Sequence, residues 1–209
     1  MSTWDWSKFE GGAEALKWNR KELSSIDEVM RYVNGCAVVV QAGGNLGIFP
    51  KRLAELFHVV YTFEPDQELF VKMTKNAPEA NIIRFQAALG SKRELIGTSR
   101  VRRDGKTNIH EGITHVSGPG VVPTLLIDDL NLPACDLVYL DLEGYEPYAL
   151  MGAEQTLRRC RPVLAVEINK SAGFMGFTKD SVRRMITSMG YEFKIKIRSD
   201  EVFVPVEQE

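Results

Sequence analysis

The 209-residue chain lacks any apolar run near the roughly 20 residues of a spanning helix, so no membrane partner is expected. Its start, "MSTWDWSKFEGG", has no cationic stretch followed by an apolar core. No secretory signal is read there, and a cytoplasmic location is expected. Cysteine is scarce. Cys36, Cys135 and Cys160 form an odd set without metal-like spacing, which speaks for reduced structural thiols rather than a disulfide framework. Excess charge of either sign is also missing. The formal charge of −2 gives no global pull toward nucleic acid or anionic membrane. Internal repeats and low-complexity segments are absent. What remains is an ordinary globular composition, long enough for one domain with a substantial core.

Hydrophobic periodicity divides the chain. Residues 1–36 read as an N-terminal helical extension, with "SSIDEVMRYV" starting at a capping-box pattern from Ser25 to Glu28 and ending at Asn34-Gly35. Residues 37–209 then alternate strands and helices. Strands are expected at 37–41, 59–64, 81–89, 136–141 and 162–168, and helices at 48–57, 66–76, 147–159 and 179–189. "YEFKIKI" and "EVFVPV" read as an antiparallel strand pair at the sheet's end. A block at about 91–122 interrupts the alternation, and its Asp104-Gly105 predicts an inserted hairpin or long loop. The predicted class is α/β: a mostly parallel sheet covered by helices on both faces, with an antiparallel C-terminal pair.

Ligands of such sheets sit at the carboxyl ends of the strands. The first strand runs into "QAGGNLG", where Gly43, Gly44 and Gly47 remove side chains and Asn45 offers an amide. The second strand ends at Glu64, placed to accept both hydroxyls of a ribose. "YLDLEGYEP" clusters Asp141, Glu143 and Glu146 at the same edge. The helix dipole accounts for acids in a first turn. It does not account for Asp141, which ends a buried apolar strand and needs a partner there.

These motifs resemble the FkbM-type methyltransferases, which use S-adenosylmethionine and mostly methylate oxygen. The resemblance rests on Gly43-Gly44-Asn45-Leu46-Gly47, on Phe63-Glu64-Pro65, and most specifically on Asp141-Leu142-Glu143-Gly144-Tyr145-Glu146. "LLIDDL" (125–130) and "AVEI", ending near Glu167, extend it over roughly residues 37–170. It implies a Rossmann-like class I methyltransferase sheet of seven strands. It also implies that the loop from Gly43 to Gly47 holds the cofactor's amino-acid end, Glu64 its ribose, and Gln86 with Ala87 its adenine. Asp141 would face the methyl acceptor, with Glu143 beside it. If a cation is used, Asp141, Glu143 and Glu167 would hold a hard ion such as Mg²⁺ or Ca²⁺.

The chain departs from the family pattern twice. Gln41 stands where an acid is usual, and Tyr139 where a lysine is usual two residues before Asp141. An acid at position 41 would help hold the cofactor's ammonium, so Gln41 is expected to bind it weakly and Gln41→Asp to tighten it. The acceptor is expected to be a small molecule or a carbohydrate. Phe174, Met175 and Phe177 are candidates for a lid, and Arg100, Arg102, Arg103 and Lys106, near His110 and His115, for an acidic-acceptor contact; packing and a solvated hairpin are the plainer readings. Trp4, Trp6 and Trp18 permit ligand stacking, a core cap or a homodimer contact. Two competing functions share the glycine loop: a nicotinamide-dependent Rossmann oxidoreductase, and a cofactor-binding module without activity.

Overall fold

The computed structural model describes residues 4–11, 13–100, 114–169 and 175–207. In chain order the elements are α1 (Ala13–Val29), β1 (Val38–Ala42), α2 (Ile48–Ala54), β2 (Val59–Phe63), α3 (Gln67–Asn76) and β3 (Ile82–Phe85). Four short strands follow: β4 (Ala88–Leu89), β5 (Leu95–Arg100), β6 (Thr114–Pro119) and β7 (Val122–Leu125). The chain continues through β8 (Leu137–Leu140), α4 (Glu146–Met151), α5 (Glu154–Cys160), β9 (Val163–Glu167), α6 (Lys179–Ser188), β10 (Tyr191–Ile197) and β11 (Asp200–Pro205).

The central sheet has seven strands in the order β10-β11-β9-β8-β1-β2-β3. All neighbours are parallel except β11, which runs against both β9 and β10. The sheet is thus the mostly parallel α/β sheet with an antiparallel C-terminal pair that the sequence predicts. β11 is slotted inside and β10 forms the edge, which explains why Asp200 to Phe203 are all buried.

Each face of the sheet carries its own core. Val38, Val40 and Ala42 pack with Val138, Leu140 and Val166 beneath α4, α5 and α6. Val39 packs with Leu137, Tyr139 and Ala165 against Ile26 of α1 and Leu53 of α2. With both faces covered, β1 buries every residue, and so its sequence reads as an unbroken apolar run.

Three local expectations change. The first helix starts at Ala13, so Ser25 is an interior residue rather than a cap; its hydroxyl donates to the Glu22 carbonyl at 2.6 Å. The helix expected over 147–159 is two helices broken at Gly152. A Cβ there would collide with the Gly90 carbonyl, so the backbones approach where only glycine fits. Asp128 then caps the second piece, accepting from Gln155 N at 3.0 Å and Thr156 N at 2.7 Å. Third, the strand expected over 81–89 ends at Phe85, and Ala88–Leu89 joins a second sheet of order β4-β7-β5-β6. β5 and β6 form an antiparallel pair within the interrupting block. Asp104-Gly105, Arg102, Arg103, Lys106 and His110 lie outside the described residues, as does Phe174.

Candidate active site

A cleft opens at the carboxyl ends of β1, β2 and β8. The first loop contributes Gly43 and Asn45 to its lining. One wall is apolar, from Phe63, Leu69, Ala87 and Leu89. Asp141, Glu143 and Tyr145 also line the cleft, with Thr98 of β5. Of the residues expected to bind a cofactor, Gly43, Asn45, Glu64, Ala87 and Asp141 line this space. Gln86 is exposed and, like Gln41, Gly44 and Gly47, is not part of the lining.

The glycines answer first to protein. Gly43 has φ +90°, and a Cβ on it would collide with the Asp141 carbonyl. β1 and β8 therefore approach at the point where both enter the site. A Cβ on Gly47 would come within 2.8 Å of the Met73 carbonyl of α3. These two positions fix the loop's path, which the sequence alone assigned to ligand approach.

Gln41 has partners within the protein. It is buried under the loop with both ends of its amide engaged. Its Nε2 donates to the Gly43 carbonyl at 2.9 Å, and its Oε1 accepts from the Thr62 hydroxyl at 2.5 Å. It braces the glycine turn from below. An acid there would set a carboxylate oxygen against a carbonyl oxygen.

Two groups in the cleft fit a nucleoside with a charged amino-acid tail. Asn45 Oδ1 is buried with no hydrogen-bond partner, an acceptor waiting for a donor. Glu64 is 3% exposed; it accepts from Asn45 N at 2.7 Å through one oxygen and from Asp66 N at 2.9 Å through the other. Its carboxylate lines the cleft, and a carboxylate there has the acceptor chemistry for the two hydroxyls of a ribose.

The acidic wall is crowded. Oxygens of Asp141, Glu143 and Glu167 lie within 4.8 Å of one another. Crowding by protein atoms, then the charges of Glu167, Glu143 and Asp200, raise Asp141 well above the usual carboxylate range. Asp141 still presents surface to the cleft, so the like charges are the firmer cause. Glu146 plays another part. It is 2% exposed and accepts from Leu142 N at 2.7 Å and Gly144 N at 3.2 Å, so it ties the Asp141–Glu146 turn together. Burial pushes it up to about 7.

Asp200 was not foreseen as part of this group. β11 pairs it directly with Glu167, and Tyr139 donates its hydroxyl to it. Tyr139 thus takes a strand-face position beside Asp141 but directs its hydrogen bond to the inserted strand. Burial pushes Asp200 up to about 7, while the Tyr139 bond opposes the shift.

Comparison with known proteins decides the family. Residues 41–193 match the model of the methyltransferase FkbM domain. The chain belongs to the FkbM methyltransferase family. The nicotinamide reading of the glycine loop therefore falls away. Among solved structures, the FkbM methyltransferase of Methylobacillus flagellatus KT superposes with a TM-score of 0.51 at 17% identity. That match covers 95% of this chain and 56% of the other, so the chain spans little more than half the length of that relative. A precorrin-6y C5,15-methyltransferase from Geobacter metallireducens GS-15 gives 0.51 at 11% identity over 95% and 93% of the two chains. A precorrin 8w decarboxylase from Methanobacterium thermoautotrophicum gives 0.53 at 13% identity over 89% and 90%. At such identities the likeness is one of fold: the class I Rossmann-like sheet. No curated protein matches this FkbM-family chain by sequence. Among the described residues no helix is long and apolar enough to cross a membrane.

Proposed function

We propose that this FkbM methyltransferase moves a methyl group from S-adenosylmethionine to a hydroxyl of a small molecule or sugar, in the cytoplasm. The observation that carries the reading is Asp141, set on the cleft wall among other acids and facing the space that Glu64 and Asn45 share. The cofactor, when bound, supplies an electrophilic methyl on a sulfonium with a good leaving group. The chain's own task is then alignment and exclusion of water. Asn45 Oδ1 accepts from the amino-acid end, and Glu64 takes the ribose hydroxyls. Phe63, Leu69, Ala87 and Leu89 form the apolar slot for the base. Asp141 accepts the acceptor's hydroxyl proton as the new carbon–oxygen bond forms. A carboxylate held above its usual range is the better base for that step. Proximity alone does not turn Asp141, Glu143 and Glu167 into a cation site, and no step here uses one.

The test has two arms. Titration calorimetry with S-adenosylhomocysteine should show one site on the full chain, and no heat at millimolar ligand would sink the cofactor reading. Across a panel of hydroxylated acceptors, Asp141→Asn should slow turnover by about 100-fold while cofactor affinity holds. Equal turnover would remove Asp141 from the proton path.

A further inference from the structure

The back of the cofactor loop is not solvent. Leu46, between Asn45 and Gly47, is fully buried and forms a small core with Ile48 and Leu69. Trp4, Trp6 and Phe9 of the N-terminal segment pack onto that core, with ring centroids 5.1 to 5.8 Å apart. The segment is pinned at its ends. Trp4 Nε1 donates to Glu55 Oε1 at 2.6 Å, and Lys75 Nζ donates to Glu10 Oε1 at 2.7 Å. Leu69 belongs both to this core and to the apolar wall of the cleft.

One side chain joins segment and loop. Asn76, at the end of α3, is 5% exposed. Its Oδ1 accepts from Glu10 N at 2.7 Å. Its Nδ2 donates to the Glu10 carbonyl at 2.7 Å and to the Leu46 carbonyl at 2.8 Å. The amide holds three bonds at once, so the loop's position is tied to the strap's.

We infer that residues 4–10 form a strap that positions the cofactor loop through Asn76, making Asn76 a positioning residue for cofactor binding although it never touches the cleft. The inference rests on the cleft holding S-adenosylmethionine. Release of the clamp frees the Leu46 carbonyl and lets the Gly43–Gly47 turn drift from the arrangement that presents Asn45. Binding, in turn, fixes the strap.

Asn76→Ala should weaken S-adenosylhomocysteine binding by about tenfold, the equivalent of one or two buried hydrogen bonds. Calorimetry is run well below the variant's melting temperature. A merely structural Asn76 would lower that temperature and leave the affinity of the folded chain unchanged, and this result would overturn the inference. A second measurement needs no loss of the clamp. Trp4, Trp6 and Trp18 are the chain's three tryptophans, so a Trp18→Phe chain reports on the strap alone. Saturating S-adenosylhomocysteine should shift its emission. Binding by calorimetry with unchanged emission would refute coupling between strap and loop. A full chain that does not bind at all would overturn the cofactor reading and this inference with it.

Discussion

Gln41→Glu exchanges one amide nitrogen for oxygen and tests what lies under the glycine loop. Thr62 keeps its acceptor, but the Gly43 carbonyl loses its donor and meets an oxygen at a distance that is now 2.9 Å from nitrogen. Leaving a buried acceptor unmatched costs about 1–3 kcal/mol. For a chain of this length that corresponds to a drop in Tm of roughly 2–12 °C near neutral pH. The sign with pH follows from burial. The new carboxyl is easier to keep protonated when folded, and its proton can replace the lost N–H. Its folded pKa therefore lies above the unfolded value of about 4.3. The penalty is small below that value, grows as pH rises through the gap, and levels off above the folded pKa. Scanning calorimetry of both chains from about pH 4 to about pH 8 measures it. S-adenosylhomocysteine affinity should fall alongside, reversing what the sequence suggested for an acid at this position. Equal melting temperatures at neutral pH, or tighter binding, would show that the amide is not the brace.

Glu64→Ala should raise the S-adenosylhomocysteine dissociation constant by at least about tenfold, since it removes the proposed ribose acceptor and the partner of Asn45 N together. An unchanged constant would take Glu64 out of the site. Asp141→Asn should be more stable than the parent at neutral pH. Ionised Asp141 sits against Glu167, Glu143 and Asp200, and its raised folded pKa means this cost builds up as pH climbs above the ordinary aspartate value of about 3.9. The gain should vanish near about pH 4, and equal melting temperatures throughout would mean that water screens the cluster.

The sheet was legible because its strands announce themselves locally. "AVVVQ", "VVYTFE" and "PVLAVEI" are apolar runs ended by polar residues, and the acids of the site fall at those ends. For the same reason the glycine loop, Glu64 and Asp141 could be expected at one edge, and they line one cleft. What stayed hidden depends on distant pairing. Asp200 meets Tyr139 across 61 positions, and Asn76 meets Glu10 across 66; neither residue stands in a pattern that marks it. Gln41 was visible as an exception, but its purpose needed Thr62 and Gly43 in place around it. The break at Gly152 required knowing that Gly90 would come to lie against it.

The slotting of β11 has a consequence for how the protein is made. Neither β9 nor β10 can close its inner edge until residues 200–205 have left the ribosome. Until then β9 presents unpaired backbone, a template for association with other chains. The same late strand brings Asp200 to Glu167, so the acidic wall is finished only when the sheet is. Premature termination in this stretch would yield an aggregation-prone chain and an incomplete acidic cluster from a single event.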